Sequence, residues 1–300
     1  MRHGVVLVAL ALFVVACAAA ASQLGPQPVG LAPEPLPGAT STPAPIAAPA
    51  PLPTATATAT ATATPTPTQA LRRMVVVLDP GHTPDTVGAV SADGLFAEHE
   101  FTLALALKLA PLLERRGFTV YLTRRAEGSL VLPLRDENGN GVLDDYEYLQ
   151  PRTDLANLVS ADVLVSLHFN GSRDPAHAGT SVYYASAGPY IADSMRLASM
   201  MQRWLVDGLR SSGYDVADLG ALSDAGLKSY GTLYSLGQNP QFARLGRWPG
   251  VLIEPLFLTN AADAAFLRRA DALDVLSQAI AQAVSEYLGV GCCRNTWAAE

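Results

Sequence analysis

Met74-Val75-Val76-Val77-Leu78, followed by Asp79-Pro80-Gly81, is the stretch from which the fold can be read: a short β-branched apolar run ended by turn residues is a buried strand. Beyond it, Phe101, Leu105, Leu109 and Leu112 recur at helical spacing between Glu98 and Arg116, and Gly117 provides a stop. Phe118 to Thr123 then alternates as a second strand. A strand, a covering helix and a second strand form a β-α-β unit, so the fold class is α/β, with a mainly parallel or mixed sheet covered by helices. The pattern continues outward. Residues 152–160 read as a short helix, 161–168 as a strand running into a loop at His168, 191–209 as a long helix and 250–254 as another buried strand. Met195, Leu197, Met200, Trp204 and Leu205 in the long helix read as core packing rather than a cofactor box. Asn260 can cap the next helix with Asp263 at its N3 position, and a last helix runs to about Leu288.

Upstream of this unit the chain changes character. Residues 1–20 read as an export signal: a short, weakly basic start precedes an apolar run, Val5 to Val15, too short for a settled transmembrane helix. Val14-Val15-Ala16-Cys17 has the form of a bacterial lipobox, which would put lipid on Cys17 and attach the protein to a membrane; ordinary cleavage in Ala18-Ala19-Ala20 would release it instead. In residues 21–70, 35 of 50 are Ala, Pro or Thr and Glu34 is the sole charge, so nothing there can bury a core and the segment reads as a disordered tether. One domain, residues 71–290, and a tail, 291–300, complete the chain. Cys17, Cys292 and Cys293 lack the spacing of a zinc finger or a disulfide scaffold. With 20 basic against 27 acidic side chains and only two lysines, Lys108 and Lys228, a broad nucleic-acid surface is excluded.

His82 follows the first strand, Glu98 opens the first helix and His168 ends a later strand. Loops at the carboxyl ends of neighbouring strands converge in open α/β sheets, so these distant residues can meet in one crevice. Two imidazoles and a carboxylate, with a fourth position left for water, are the donors of a catalytic zinc site, and imidazole nitrogen suits zinc better than magnesium. Each residue also has a plainer reading: His82 as a turn residue, His168 as a satisfied core histidine, Glu98 as a first-turn acid favoured by the helix dipole. His99 and Glu100 lie close by, and Glu100 would supply the carboxylate if the helix were rotated. Glu254 ends Val251-Leu252-Ile253 before Pro255; at the same sheet edge its carboxylate can take a proton from an activated water and pass it to a leaving amine. The alternative is a buried glutamate that only packs, which would demand a partner.

These residues carry a resemblance. Val77-Leu-Asp-Pro-Gly-His82, Gly88-Ala89, Gly94-Leu-Phe-Ala-Glu98 and Leu103 resemble the opening of the zinc-dependent N-acetylmuramoyl-L-alanine amidases of the type 3 family. Thr123-Arg124, Arg152 with Asn157, Ser166-Leu-His168-Phe-Asn170 and Glu254-Pro-Leu-Phe257-Leu-Thr-Asn260 extend it over roughly residues 74–289. The resemblance implies one twisted mixed β-sheet flanked by α-helices in a single catalytic domain. It also implies cleavage of the amide between the lactyl group of muramic acid and L-alanine in peptidoglycan. The family's ligands match His82, Glu98 and His168, and its catalytic glutamate matches Glu254; Glu98 is favoured over Glu100 because Leu103 then keeps its place. Where the family usually has glycine after Glu-Pro, this chain has Leu256, a departure expected to reshape the substrate wall. A zinc peptidase acting on another envelope amide and a catalytically silent peptidoglycan-binding protein are the competing functions. All three place the protein in the bacterial cell envelope, lipid-anchored or secreted.

One motif lies outside that pattern. Asp136, Asn138, Asn140, Val142, Asp144 and Glu147 occupy positions 1, 3, 5, 7, 9 and 12 of a calcium-loop order with Gly141 at position 6, so residues 136–147 read as a calcium-binding insertion between the strand ending at Arg124 and the helix near Arg152. A solvated acidic turn is the plainer reading. Tyr230, Tyr234, Phe242 and Trp248, in or beside the connection 219–247, are candidates for substrate contact or for packing.

Overall fold

The computed structural model describes residues 72–225, 227 and 233–290. The export signal, the lipobox at Cys17, the 21–70 tether and the tail with Cys292 and Cys293 lie outside the described residues, as do Lys228 and Tyr230. Six strands form one mixed sheet in the order β2-β1-β5-β8-β6-β7: β1 (Val75–Pro80), β2 (Thr119–Leu122), β5 (Val163–Leu167), β6 (Thr180–Tyr184), β7 (Asp218–Ser223) and β8 (Gly250–Glu254). Neighbours run parallel except β6 against β8, so β6 and β7 oppose the other four. A small hairpin, β3 (Arg124–Ala126) with β4 (Ser129–Leu130), stands apart.

The apolar run of β1 is buried on both faces, as a central strand covered by helices should be. Alternation divides its side chains: Val76 and Leu78 join the main core with α1 (Glu98–Arg115), α3 (Ile191–Ser211) and α5 (Ala272–Tyr287). Val77 turns to a smaller cluster with Ala156 of α2 (Asp145–Leu158), Leu164 and Trp248. The sheet is thus a layer between three helices and a thinner cover, and its carboxyl edge is left open.

The expected α/β architecture is present, and the boundaries of β1, α1, β5, α3 and β8 fall within two residues of the sequence reading. Helix α2 differs: it begins at Asp145 rather than near Arg152 and runs through Pro151. At its start the Glu147 carboxylate accepts from Asp144 N and Glu147 N donates to the Asp144 carbonyl, so the helix begins inside the calcium-loop pattern. Asn260 does cap α4 (Ala261–Leu267), accepting from Ala262 and Asp263 N–H. Asp263 turns away instead and accepts from Gly179 N, Phe257 N and the Tyr214 hydroxyl. Of the α3 side chains assigned to packing, Leu197 and Leu205 are in the core, whereas Met195 is 47% exposed.

Candidate metal centre and its cleft

In register, Pro80 of β1 lies beside Leu167 of β5, and Leu167 beside Ile253 of β8. His82, His168 and Glu254 therefore emerge together at one sheet edge, and the first turn of α1 brings Glu98 to them. Glu98 Oε1 lies 2.9 Å from His168 Nδ1 and 3.2 Å from His82 Nε2. It also accepts from Phe169 N at 3.0 Å, while Oε2 accepts from Ala89 N at 2.8 Å. Burial pushes the Glu98 carboxyl up, but hydrogen bonds and charge from His168 and His82 outweigh it and hold the group well below the usual carboxylate range.

One donor atom from each of His82, Glu98 and His168 falls within 4.8 Å of the others, a group that can hold a metal ion. Glu98 Oε1 approaches the two ring nitrogens at 2.9 and 3.2 Å, and the three donor atoms together lie within 4.8 Å, close enough to share one ion. Close approach of backbone to ligand explains two glycines. A Cβ on Gly81 would meet the His168 ring at 2.4 Å, and one on Gly88 would meet Glu98 Oε2 at 2.4 Å.

The neighbouring acid and histidine are excluded by direction. Glu100 turns back to accept from Ala97 N at the start of α1, and His99 faces Glu127 at 3.6 Å. Glu254 lines the same cleft as His82 and His168, a cavity of about 790 Å³ bordered also by Asn170, Tyr183 and Leu252. Its Oε2 is buried without a hydrogen-bond partner, so the partner that a packing role would demand is missing on that oxygen. Burial first, and the charge of Glu98 second, raise its carboxyl well above the ordinary value. Leu256 does not border the cleft: it is fully buried in the main core, so the expected reshaping of the wall does not follow from it. Trp248 and Phe242 are likewise buried, which favours packing over substrate contact.

Sequence reasoning missed the role of the polar groups beneath the site. Asp79, almost fully buried, accepts from Arg152 Nη1 and Thr123 Oγ1, each at 2.6 Å, and from Ser166 Oγ at 2.9 Å. Burial pushes its carboxyl up, but the Arg152 charge and these hydrogen bonds pull it below the ordinary value. Arg124 is also buried and donates to Pro80 O, Gly81 O, His99 O and Thr102 Oγ1. A buried Asp inside an apolar strand was the available signal, since such a carboxylate needs partners.

The insertion forms a loop on its own terms. Asp136 accepts from the N–H groups of Gly139, Asn140 and Gly141. Glu147, also buried, accepts from Glu137, Asn138 and Asp144 N. Only α2 flanks it as a helix; the β3–β4 hairpin stands on the other side. Among the described residues, no second group of His, Cys, Asp or Glu meets as closely as His82, Glu98 and His168.

Fold and site together define an α/β protein with a metal-type donor set at the carboxyl edge of a mixed sheet. The chain belongs to the N-acetylmuramoyl-L-alanine amidase family, whose model matches residues 76–286. It is 26% identical over 246 residues to N-acetylmuramoyl-L-alanine amidase AmiC of Neisseria meningitidis, covering 75% of this chain and 55% of that protein. It is 28% identical over 212 residues to N-acetylmuramoyl-L-alanine amidase LytC of Bacillus subtilis, covering 71% of this chain and 35% of the relative. The match thus spans about half or less of these two relatives. Among solved structures, the catalytic domain of CwlV from Bacillus (Paenibacillus) polymyxa var. colistinus is similar at 27% identity and a TM-score of 0.55, covering 73% of this chain and 99% of that one. The CwlD amidase of Clostridioides difficile, solved in complex with the GerS lipoprotein, is similar at 26% identity and a TM-score of 0.58, covering 73% and 100%.

Proposed function

We propose that this protein is a zinc-dependent amidase that hydrolyses the bond between N-acetylmuramic acid and L-alanine in peptidoglycan. Membership of the amidase family supports the bond and the substrate. The observation that carries the chemistry is the meeting of His82, Glu98 and His168 within 4.8 Å at a cleft that Glu254 also lines. His82, Glu98 and His168 would hold the ion; two imidazoles with a carboxylate select zinc over calcium or magnesium. An ion bound there would supply Lewis acidity for the scissile carbonyl and the attacking water. Glu254 takes the proton from that water as its oxygen adds to the carbonyl carbon. It then delivers the proton to the alanine nitrogen as the C–N bond breaks, leaving a carboxyl on the lactyl group and a free amine on the peptide. Burial, with the Glu98 charge second, raises this carboxyl and so favours the protonated form that delivers a proton to the leaving amine.

The reading places the protein in the bacterial cell envelope, attached through lipid on Cys17 and held off the membrane by the 21–70 tether. No helix of the described residues is long and apolar enough to cross a membrane. A Cys17→Ser variant should appear in the culture medium; retention on the membrane would remove the lipid anchor from this account. For the insertion, the proposal is a structural calcium site using Asp136, Asn138, Asn140, Asp144 and Glu147 side chains and the Val142 carbonyl. Its support is the ligand order together with Gly141, whose φ of 82° suits the turn at position 6.

The deciding experiment digests intact peptidoglycan with the zinc-loaded protein and identifies the new ends by mass spectrometry, with Glu254→Gln as the paired control. New L-alanine amino termini with intact lactyl-muramic ends are expected. Cleavage at another amide would make the protein a different envelope hydrolase, and zinc binding without cleavage would leave a binding protein.

A further inference from the structure

We infer that Arg152 is a positioning residue for the metal centre: from α2 it fixes the main chain of the turn that carries His82. The inference rests on the metal-site reading above. It concerns a side chain that makes no ligand contact of its own.

Three successive carbonyls, those of Pro80, Gly81 and His82, are held by side-chain donors beneath the site. Pro80 O accepts from Arg152 Nη1 at 2.7 Å and Arg124 Nε at 3.1 Å. Gly81 O accepts from Thr102 Oγ1 at 2.7 Å and Arg124 Nη2 at 3.1 Å. His82 O accepts from Arg152 Nη2 at 3.4 Å. Arg124 thus secures the first two carbonyls, and Arg152 spans the first and third. Arg152 is itself oriented by Asp79, 2.6 Å from Nη1.

Such anchoring is needed because His82 has a φ of 62°. A residue with a Cβ adopts the left-handed region only where its surroundings over-determine it, and strain of this kind gathers at functional sites. With the turn relaxed, the His82 ring would lose its position beside Glu98. Stability is a poor explanation for burying this ion pair, since the desolvation of two charges often cancels their attraction. A planar guanidinium with several fixed donors explains the residue type better, because one side chain must meet a carboxylate and two carbonyls at once. There is a functional corollary. Asp145, Tyr148 and Leu149 of the same helix line the cleft, so α2 sets a substrate wall and a metal ligand with one placement.

The test compares Arg152→Lys with wild type and with Tyr214→Phe, which loses the hydroxyl bond to Asp263 in a network separate from this turn. Lysine keeps the charge beside Asp79 but has a single nitrogen, which cannot replace the spread of donors. Zinc affinity is read by competition with a chromogenic chelator, and the ligand field by the visible spectrum of the cobalt-substituted protein. Arg152→Lys should bind zinc at least about tenfold more weakly, as loss of an outer-shell partner does, and should shift the cobalt bands. Tyr214→Phe should lower Tm and leave both readouts unchanged. Wild-type zinc affinity and cobalt spectrum in Arg152→Lys would overturn the inference, as would an equal loss of affinity in Tyr214→Phe. If Arg152→Lys does not fold, the double variant Asp79→Asn with Arg152→Gln removes both buried charges, and it must show the same weakened binding. Failure of the wild type to bind either metal would instead overturn the metal-site reading, and this inference with it.

Discussion

The crevice at the sheet edge and the 136–147 loop are both built from carboxylates, yet only the crevice holds one, Glu254, with a buried oxygen that no donor reaches. In the crevice, Glu254 Oε2 is buried without a partner, and Glu98 Oε1 meets His168 Nδ1, His82 Nε2 and Phe169 N. In the loop, Asp136 and Glu147 are occupied by the loop's own N–H groups. Buried polar atoms left open cost free energy unless something outside the protein chain completes them. The crevice therefore leaves the Glu254 carboxylate open towards the cleft, whereas the loop closes on itself and an ion would add to a structure already formed. Acidic composition alone does not distinguish the two.

The largest test of this difference is Glu254→Gln. Removal of a general acid–base typically costs about 10²–10⁴-fold in rate, so kcat on purified peptidoglycan should fall by that factor while zinc affinity measured by chelator competition stays unchanged. Turnover above about a tenth of wild type would end the assignment of Glu254 as proton carrier. A pair of glycine substitutions then compares the regions directly. In Gly81→Ala the new Cβ arrives 2.4 Å from the His168 ring, whereas a Cβ on Gly139 in the loop meets nothing within 4 Å. Overpacking at the first site should cost about 1–3 kcal/mol and displace a ligand, lowering zinc affinity about tenfold. Gly139→Ala, at φ 71°, should lose only the stability that backbone strain costs, about 1 kcal/mol, with zinc affinity intact. Equal effects on zinc from both variants would erase the distinction.

The sheet edge was largely legible because its signals are local. A β-branched run before Asp79-Pro80-Gly81 and an apolar run ending in Glu254 identify strands by period and punctuation, and topology then brings their ends together. The Asp79–Arg152 pair was not legible as a clamp: a carboxylate ending an apolar strand signals that a partner is needed, but nothing local identifies Arg152, 73 residues away. Strands β6 and β7 were also missed. They are no shorter than β5 and β8, but Thr180-Ser181-Val182-Tyr183-Tyr184 has no apolar run like theirs and β7 is largely exposed, so neither period nor burial gives warning of the antiparallel part of the sheet. The start of α2 was obscured for a different reason. Asp144 and Glu147 satisfy both the end of a calcium loop and the cap of a helix, and only the latter extends through Pro151. Leu256 shows the converse error, in which a departure from a motif beside Glu254 suggested an effect on the substrate wall, although the side chain faces the core.

The smallest expected effect belongs to the loop and follows from its self-sufficiency. Because Asp136 and Glu147 are already engaged, calcium should contribute by mass action on a folded loop rather than by creating it. Calcium at ten times its Kd would add about 1.4 kcal/mol, which for a domain of this size raises Tm by roughly 3–6 °C. Thermal unfolding with calcium and with a calcium chelator measures that shift, and Asp136→Ala should abolish it. The proposed zinc site should not respond, since His82 follows β1, Glu98 opens α1 and His168 follows β5, all outside the loop. An unchanged Tm across a calcium titration of chelator-stripped protein would leave Asp136–Glu147 as a self-capped acidic turn. A calcium-dependent change in zinc affinity would instead show that α2 transmits loop occupancy to His82, and the two regions would then be one device.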